Sequence, residues 1–296
     1  MAHTRIASVN VNGVRAAQRK GMGAWLEASD IDILTIQEVR AQREHLEAAL
    51  PGWHILEHEA LQKGRAGVAI ASREPALAHR IDLGDDALDA NGRWLEADFR
   101  VGDETVTVVS AYVYTGEAET PKQDQKWAFL DAMEARLPEL ASDGALALVT
   151  GDLNVGHRPF DIRNWKGNVK KAGYLARERA YFDRFLTPAG EPVAGQEGIG
   201  RGQVGVLSDT RALSEGRTGL GWVDVGRTAS GEADGPYTWW SNRGQAFDND
   251  TGWRIDYHLA TPALAERVES YRVDRYPSYD ARWSDHAPVV VDYRIG

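Results

Sequence analysis

The sequence predicts an α/β fold in which two mixed β-sheets pack face to face and helices cover their outer surfaces. Two observations lead to this prediction. Short apolar or β-branched segments recur along the chain, and several alternate apolar and polar residues, as strands with one covered face do. Segments with helical spacing lie between them in both halves of the chain. A chain of 296 residues can build such a sandwich as one domain, residues 1–296.

The individual elements follow from these patterns in chain order. Strands are predicted at 5–11, 31–39, 67–72, 94–99, 105–113, 146–153, 254–261 and 288–295. Helices are predicted at 21–29, 43–50, 119–140 and 175–187, and the third places Trp127, Leu130 and Met133 at helical spacing. Residues 188–252 are rich in Gly, Ser, Asp and Asn without a strong period, so we expect long loops with short elements there.

The composition excludes several classes of protein. The sequence has no Cys, which excludes disulfides, thiolate metal sites and a thiol nucleophile. The first residues, MAHTRIASVNVNG, lack the basic start and apolar run of a signal peptide. No segment approaches the roughly 20 apolar residues of a membrane helix. We therefore expect a soluble, monomeric protein without a membrane partner, cytoplasmic and associated with the nucleoid if the source is bacterial.

The charge gives a mixed indication about partners. The formal net charge is −10, from 34 basic and 44 acidic residues, which by itself argues against a nucleic-acid partner. A local basic stripe could nevertheless bind DNA. One candidate stripe consists of Arg158, Arg163, Lys166, Lys170, Lys171, Arg177 and Arg179. A solvated loop and helix face is the alternative interpretation of these residues.

Polar residues interrupt the predicted strands near their ends. The segment LALVTGDLNVG ends an apolar strand with Asp152 and Asn154, and residues two apart on a strand project to the same side. Similar positions near strand ends are held by Asn10, Asn12, Glu38, Tyr112, Tyr114, Asp256, Asp285 and His286. Ligand sites in layered sheet folds commonly form where such ends converge.

Each of these residues also has a structural explanation when it is taken alone. Asp-x-Asn and Asn-x-Asn are common turn sequences, and Glu38 could simply pair with Arg40 or a lysine. Asp256 is harder to dismiss, because an Asp on a buried strand face needs a partner such as a His. Taken together, the residues offer hard oxygen ligands and one His, which favours Mg²⁺ or Mn²⁺ and hydrolysis of a phosphate ester.

Several motifs resemble those of the exonuclease III family of abasic-site endonucleases, within the endonuclease/exonuclease/phosphatase superfamily. The motifs occur in the family's order and cover nearly the whole chain: SVNVNGVRA (8–16), LTIQEVR (34–40), VTGDLNVG (149–156), GWRIDYHLAT (252–261) and WSDHAPVV (283–290). GDLN and SDHAPV mark the superfamily broadly, whereas the Trp-Trp stretch joined to NDTGWRID is more specific to the DNA-repair branch. Asn12 departs from the pattern, since some members carry Asp there.

The resemblance implies a four-layer α/β sandwich with a magnesium-dependent site at one rim, where Mn²⁺ can substitute. By position, Glu38 resembles the principal metal ligand, with Asn10 beside it and Asp285 near the metal. Asp152 resembles the residue that orients or deprotonates the attacking water, and Asn154 its positioning partner. His286 would contact the scissile phosphate while Asp256 holds its tautomer, and Tyr112 would donate to the phosphate.

The resemblance also implies contacts to double-stranded DNA with abasic sites or 3′ ends. Trp253 and Phe247 would line a pocket for a sugar without its base, which is extruded at little cost in stacking. Arg163, Lys166 and Lys170 would hold the DNA backbone. Arg93 resembles a family arginine that either contacts DNA or forms a structural ion pair.

Three functions remain open on the sequence alone. The first is a nuclease that cleaves 5′ to abasic sites in duplex DNA, acts as a 3′-5′ exonuclease, or repairs 3′ ends. The second is the same fold acting on RNA or small phosphoesters, which the acidic net charge favours. The third is a binding protein without catalysis, which the intact set of candidate catalytic residues argues against. Segment 114–127 differs in length and charge from familiar members, so the preference between endonuclease and exonuclease stays open.

Overall fold

The computed structural model describes residues 3–196, 199–200, 203–204 and 210–296. Within these residues two six-stranded mixed sheets carry most of the strands. The first sheet has the order β13-β14-β1-β2-β4-β3, and the second has the order β11-β12-β8-β7-β6-β5. The first contains β1 (His3–Asn10), β2 (Ile33–Gln37), β3 (His54–His58), β4 (Val68–Ser72), β13 (Val268–Val273) and β14 (Val289–Arg294). The second contains β5 (Ala78–Arg80), β6 (Trp94–Val101), β7 (Glu104–Tyr112), β8 (Leu146–Asp152), β11 (Val223–Asp224) and β12 (Asp256–Ala260).

Helices cover the outer faces of both sheets and cap the loops. They are α1 (Val14–Lys20), α2 (Met22–Ser29), α3 (Arg43–Ala49), α4 (Asp86–Asp89), α5 (Pro121–Leu140), α6 (Ala176–Leu186), α7 (Arg211–Ser214), α8 (Val225–Ser230) and α9 (Pro262–Ala265). Short 3₁₀ turns occur at Ser142–Gly144, Pro159–Asp161 and Trp165–Gly167, and β9 (Ile199–Gly200) pairs with β10 (Gln203–Val204). Among the described residues, no helix is both long and apolar enough to cross a bilayer.

Three apolar clusters separate the four layers. The cluster between the sheets takes Ile6 and Ile33 from one sheet and Val106 and Leu148 from the other. A second cluster packs helices α1 to α3 on the outer face of the first sheet, and a third packs α5 and α6 on the second. Neighbouring strand residues such as Ile6 and Ala7 enter different clusters, because side chains alternate across a sheet. The predicted four-layer α/β sandwich is therefore confirmed.

Each strand and helix predicted from the sequence is present, with ends shifted by one or two residues. Helix α5 begins at Pro121 rather than residue 119, because Thr120 caps it by accepting from the Lys122 N–H at 3.3 Å. The strands β3, β5 and β13 were not predicted. All three are edge strands and include exposed or half-buried residues, so their sequences lack a clear apolar pattern. Part of the predicted 188–252 loop region lies outside the described residues.

Candidate active site

Six strand ends meet at one rim of the sandwich. The strands β1 and β2 are parallel, as are β7 and β8, so Asn10 lies beside Gln37 and Tyr112 beside Asp152 where these pairs end. β12 runs antiparallel to β8 and begins at this rim, which places Asp256 directly opposite Asp152. The segment before β14 supplies Asp285 and His286 at the same edge. The fold therefore gathers polar residues that are far apart in the sequence.

The backbone leaves these strands through unusual conformations. Gly151 has φ of 131°, and a Cβ on it would lie 2.0 Å from the carbonyl oxygen of Ala111. Only glycine fits there, which explains the Gly in the Gly-Asp-x-Asn motif. Glu38 and Asn154 adopt left-handed conformations with φ of 53° and 52°. Left-handed non-glycine residues cost free energy and tend to cluster at functional sites.

A buried His–Asp pair lies at the floor of the rim. Nδ1 of His286 lies 2.9 Å from Oδ2 and 3.1 Å from Oδ1 of Asp256, and the hydroxyl of Thr238 donates to Asp256 Oδ2 at 2.6 Å. Burial lowers the pKa of His286, but the charges of Asp256 and Asp152 outweigh it and raise the pKa to about 10. The imidazole is therefore held as an imidazolium whose Nε2–H faces Asp152.

Asp152 faces this imidazolium from the neighbouring strand. Its Oδ2 lies 3.7 Å from Nε2 of His286 and accepts from Nδ2 of Asn10 at 2.9 Å. Its Oδ1 accepts from the backbone N–H of Asn154 at 3.0 Å. Burial raises the pKa of Asp152 to about 7, and the charges of Asp256 and Glu38 act in the same direction against that of His286. The carboxylate is thus unusually basic for an Asp.

Glu38 lies next to Asp152 with partners on both of its oxygens. The hydroxyl of Tyr112 donates to Oε1, and the guanidinium of Arg40 pairs with Oε2. The ion pair with Arg40 that we considered for Glu38 is therefore present. Burial raises the pKa of Tyr112 well above its usual range, with the charges of Glu38 and Asp152 adding to the effect. Tyr112 consequently remains a protonated hydroxyl able to donate a hydrogen bond.

Asp285 closes the other side of the floor. It accepts from Nδ2 of Asn12 at 2.9 Å and from the indole N–H of Trp239 at 3.2 Å. Burial would raise the pKa of Asp285, but the charge of His286 and these two hydrogen bonds lower it overall. Asn12, which replaces the Asp of some family members, thus bridges Asp285 and Arg40, since its Oδ1 accepts from the Arg40 guanidinium at 2.7 Å.

An open cavity of about 350 Å³ lies above this floor. It is lined by Asn12, Glu38, Arg40, Thr115, Asp152, Asn154, Asn168, Lys171, Ala172, Gly173, Trp239, Trp253, Ile255, Asp285 and His286. Trp239 and Trp253 meet edge to face with ring centroids 6.1 Å apart. The cavity therefore joins charged groups at its floor to a flat apolar wall.

The wall differs from our prediction at one position. Trp253 lines the cavity as expected, but Phe247 is only 2% exposed and packs against Trp240 in the core of the first sheet. Among the described residues that line the cavity, the second aromatic ring comes from Trp239. The placement of Phe247 in the pocket is therefore wrong. In the extended segment 239–240 one Trp faces the cavity and the next faces the core, and the sequence alone did not show which.

The cationic residues that we predicted to bind DNA differ in their exposure and in their partners. Lys170 and Lys171 are exposed, Lys171 lines the cavity, and Lys170 lines an adjoining groove. Lys166 is exposed beside Trp165, and Arg163 pairs with Asp234 at 3.3 Å. Arg179 does not belong to a surface stripe, because it lies in helix α6 with its side chain fully buried.

Arg93 packs below the site instead of reaching outward. Its guanidinium lies 3.8 Å from the ring centroid of Tyr114 and 4.4 Å from that of Tyr112, and it donates to the Tyr112 carbonyl at 3.1 Å. These contacts favour a structural role for Arg93, but through aromatic rings and a carbonyl rather than the ion pair that we had considered. The sequence reasoning missed Trp239, Thr238 and Gly173. The Trp-Trp dipeptide was a signal for the first, but no local pattern indicated the other two.

A buried acidic and imidazole group at the floor could hold a metal ion. Asp152, Asp256 and His286 each offer a ligand atom, and these atoms lie within 4.8 Å of one another. The 2.9 Å contact between Asp256 and Nδ1 of His286 is nevertheless a hydrogen-bond distance, which commits that pair to each other. Glu38 and Asp285 provide further oxygen atoms that line the cavity.

Comparison with known proteins agrees with this site. The family model for the Endonuclease/Exonuclease/phosphatase family matches residues 7–286. The chain is 29% identical over 286 residues to an exodeoxyribonuclease of Bacillus subtilis, covering 96% of this chain and 97% of that protein.

Solved structures give the same result. An AP endonuclease from Archaeoglobus fulgidus superimposes with a TM-score of 0.76 at 26% identity, covering 99% of this chain and 100% of the other. A 3′ phosphatase from Neisseria, NExo, solved with a product DNA hairpin, gives the same TM-score, identity and coverage. The chain therefore belongs to the endonuclease/exonuclease/phosphatase family, and the predicted resemblance to its exonuclease III branch is confirmed.

Proposed function

We propose that this protein is a metal-dependent DNA-repair nuclease that cleaves the phosphodiester 5′ to abasic sites in duplex DNA and acts on damaged 3′ ends. The proposal rests on one arrangement: His286 lies between Asp152 and Asp256 at the floor of a cavity with a tryptophan wall. A base, a cationic hydrogen-bond donor and an apolar recess are what hydrolysis at a base-free nucleotide requires. The names of the similar exodeoxyribonuclease, AP endonuclease and 3′ phosphatase support it.

The residues at the floor fit a hard divalent cation. Their donors are oxygen and one imidazole, and the carboxylates of Glu38, Asp152, Asp256 and Asp285 outnumber the nearby cations of His286 and Arg40. Glu38 and Asp285 would hold Mg²⁺, or Mn²⁺ in its place, together with the remaining lone pair of Asn10 Oδ1. Such a cation, when bound, would neutralise charge on the phosphate oxygens and orient them.

Asp152 would act as the base for the attacking water. Its raised pKa of about 7 matches the task of taking a proton near neutral pH. As the water oxygen bonds to phosphorus, its proton passes to Asp152, the bond from phosphorus to the sugar oxygen on the 5′ side of the lesion breaks, and that oxygen takes up a proton from solvent to leave as a hydroxyl. The N–H of Asn154 and the amide of Asn10 hold the two carboxylate oxygens, so the base cannot rotate away from the cavity.

His286 and Tyr112 would stabilise the charge that develops on the phosphate. The Nε2–H of the His286 imidazolium points into the cavity while Asp256 holds Nδ1, and Thr238 holds Asp256 in turn. A preorganised cationic donor of this kind costs no reorganisation during the reaction. Tyr112 keeps its proton because its pKa is raised by burial, so on exchanging Glu38 for substrate it would donate to a phosphate oxygen or the leaving oxygen.

The apolar wall would recognise the lesion. The apolar part of the cavity lining consists of Trp239, Trp253 and Ile255. The faces of the two rings and the alkyl side chain offer no hydrogen bonds to a base. A deoxyribose without its base would enter this recess, and little stacking energy is lost in extruding it. The backbone of the duplex would be contacted by Lys166, Lys170 and Arg163. The protein would bind the duplex as a monomer.

The test is a duplex with a single stable abasic analogue, compared with an intact duplex and a recessed 3′ end. We expect a Mg²⁺-dependent nick on the 5′ side of the lesion. Glu38→Gln and His286→Asn should each lower turnover by about 10²–10⁴-fold while the circular dichroism spectrum is retained. A clean preparation that leaves the abasic duplex intact in Mg²⁺ and Mn²⁺ would refute the proposal.

The acidic net charge of −10 favours one alternative, a phosphodiesterase of the same fold that acts on RNA or small phosphoesters. Turnover of a small phosphoester or RNA oligonucleotide above that of the abasic duplex, at equal salt, would support this alternative. Binding of DNA without any turnover would instead indicate a protein that has lost catalysis.

A further inference from the structure

A buried lysine outside the catalytic floor contacts several walls of the cavity. Lys126 lies on the inner face of helix α5 and is fully buried. Its ammonium pairs with Glu178 of helix α6 at 2.7 Å, and Glu178 is equally buried. A buried ammonium needs all its N–H groups satisfied, because an unpaired one is very costly in the interior. The positions of its partners are therefore informative.

The other two partners of Lys126 are backbone carbonyls of cavity residues. Nζ donates to the carbonyl of Asn154 at 2.8 Å and to that of Thr115 at 3.3 Å. Thr115 lies in the loop after β7, and Asn154 lies in the loop after β8. Both residues line the catalytic cavity. One ammonium thus ties together two loops that leave separate strands.

The ion-pair partner reaches a third part of the wall. Oε2 of Glu178 accepts from the N–H of Leu175 at 2.8 Å, at the start of helix α6. The residues just before this point, including Lys171 and Gly173, also line the cavity. The N–H of Gly156 donates to the carbonyl of Gly173 at 2.8 Å, which links this segment to the loop after β8. Three loops around the cavity therefore meet at one buried ion pair.

We propose that Lys126 is a positioning residue, which fixes the left-handed turn at Asn154 and the loop of Thr115 so that Asp152 is held in its reactive orientation. Asn154 depends on its neighbours, because φ of 52° is strained for a non-glycine residue. Its N–H holds Oδ1 of Asp152, so a shift of this peptide moves the base directly. Lys126 does not line the cavity itself and acts through these carbonyls. Only the kinetic part of this inference rests on the proposed function.

The test compares three variants that separate positioning from simple loss of an ion pair. Lys126→Met removes all three donors but keeps the aliphatic stem. Lys126→Met combined with Glu178→Gln also removes the buried carboxylate that would otherwise be left alone. Glu178→Gln alone breaks the ion pair but leaves the lysine donors on the two carbonyls, and its amide oxygen can still accept from Leu175.

A control is available farther along the same helix, α5. Arg136 pairs at 2.8 Å with Glu96, whose side chain is as buried as Glu178 and keeps a second cation partner in Arg80 at 2.7 Å, and neither Arg136 nor Glu96 lines the cavity. Arg136→Met should therefore lower stability without changing turnover. It measures what the loss of one partner of a buried ion pair does to the fold alone.

Two readouts decide the matter. The first is hydrogen exchange of segments 113–117, 152–156 and 168–175, which requires no activity. We expect faster exchange confined to these segments in both Lys126 variants, but not in Glu178→Gln or Arg136→Met. The second is turnover on the abasic duplex, where we expect kcat about 100-fold lower with KM changed much less, as for a misplaced catalytic group.

The proposal is overturned if exchange in these segments is unchanged, or if Glu178→Gln or Arg136→Met shows the same local change. It is also overturned if the double variant regains the kcat of the wild type, since the effect then belongs to the lone carboxylate. If the wild-type protein cleaves no abasic duplex, the proposed function fails, and the exchange pattern still decides the role of Lys126.

Discussion

The pKa values of two buried carboxylates near the start of β12 shift in opposite directions. Asp152 and Asp161 are both almost completely buried, with exposures of 2% and 0%. Burial by itself would raise the pKa of both. In Asp161 the charges of Arg254 and Arg227 outweigh burial and hold the pKa well below its usual range. In Asp152 the pKa is instead raised to about 7.

The difference comes from the partners. Asp161 accepts from Arg254 Nε at 2.7 Å, from the Arg227 guanidinium, and from the N–H groups of His157 and Arg158 at 3.0 and 2.7 Å. Asp152 has two amide donors and an imidazolium 3.7 Å away, and it lies among other carboxylates at a cavity. A saturated buried carboxylate stabilises the fold, whereas one left among like charges is available for proton transfer.

The largest effect should follow from removing Asp152, the proposed base. Asp152→Asn should lower kcat by about 10²–10⁴-fold, because the amide cannot accept a proton from water. Its free energy of unfolding should fall much less than that of Asp161→Asn, since the substitution also removes a charge beside Asp256 and Glu38. Turnover on the abasic duplex and urea unfolding measure the two effects. If Asp152→Asn retains the turnover of the wild type, Asp152 is not the base, and its contrast with Asp161 has no catalytic meaning.

The reciprocal change should affect stability first. Asp161→Asn leaves Arg254 and Arg227 without their shared charge, so we expect the free energy of unfolding to fall by about 3–5 kcal/mol. Urea unfolding at neutral pH measures this loss. Below the unfolding transition, kcat should fall far less than in Asp152→Asn. A variant as stable as the wild type would show that this ion-pair network does not hold the fold together.

A third buried group, with no charged partner, gives a pH test of stability. His258 lies in the interior beside the Tyr293 hydroxyl, 3.1 Å from Nδ1, and burial lowers its pKa to about 3. The unfolded chain gains the proton near pH 6.5, so the neutral folded form loses stability as pH falls from about 6.5 to 3. The loss should reach about 5 kcal/mol at the acid end. His258→Gln should flatten this part of the stability curve, as measured by unfolding at several pH values. An unchanged slope would contradict the assignment.

The last prediction concerns the pH dependence of turnover, in which the shift expected with Mg²⁺ is the smallest effect. Asp152 must be deprotonated to act as a base, so kcat/KM should rise about tenfold per pH unit up to pH 7. A bound cation lowers the pKa of a neighbouring carboxylate, so this limb should move to lower pH as Mg²⁺ increases. His286 must keep its proton, so activity should fall only near pH 10. Initial rates across the pH range test both limbs. If the acid limb of the kcat/KM profile does not shift with Mg²⁺ concentration, there is no cation beside Asp152.

Most strands and helices of this fold could be predicted from the sequence, because local patterns of side chains encode them. Short apolar or β-branched runs predicted the central strands, and helical spacing of apolar residues predicted α5, whose start lies two residues after the predicted one. The edge strands β3, β5 and β13 were missed because their exposed faces place few demands on side-chain type. The placement of Phe247 in the pocket failed because it rested on resemblance alone, and no local pattern shows whether an aromatic side chain in a loop packs into the core.

The sequence by itself determined which chemical groups this protein has: strand-end carboxylates and amides, one histidine before the last strand, and no thiol. Only the tertiary structure decided which of these groups are saturated and which are reactive. Asp152 and Asp161 have the same side chain, and their pKa values diverge because packing places arginines around one and carboxylates around the other. Electrostatic interactions depend on distances between residues more than 90 positions apart, as for Arg254 and Asp161, and no local pattern encodes such distances.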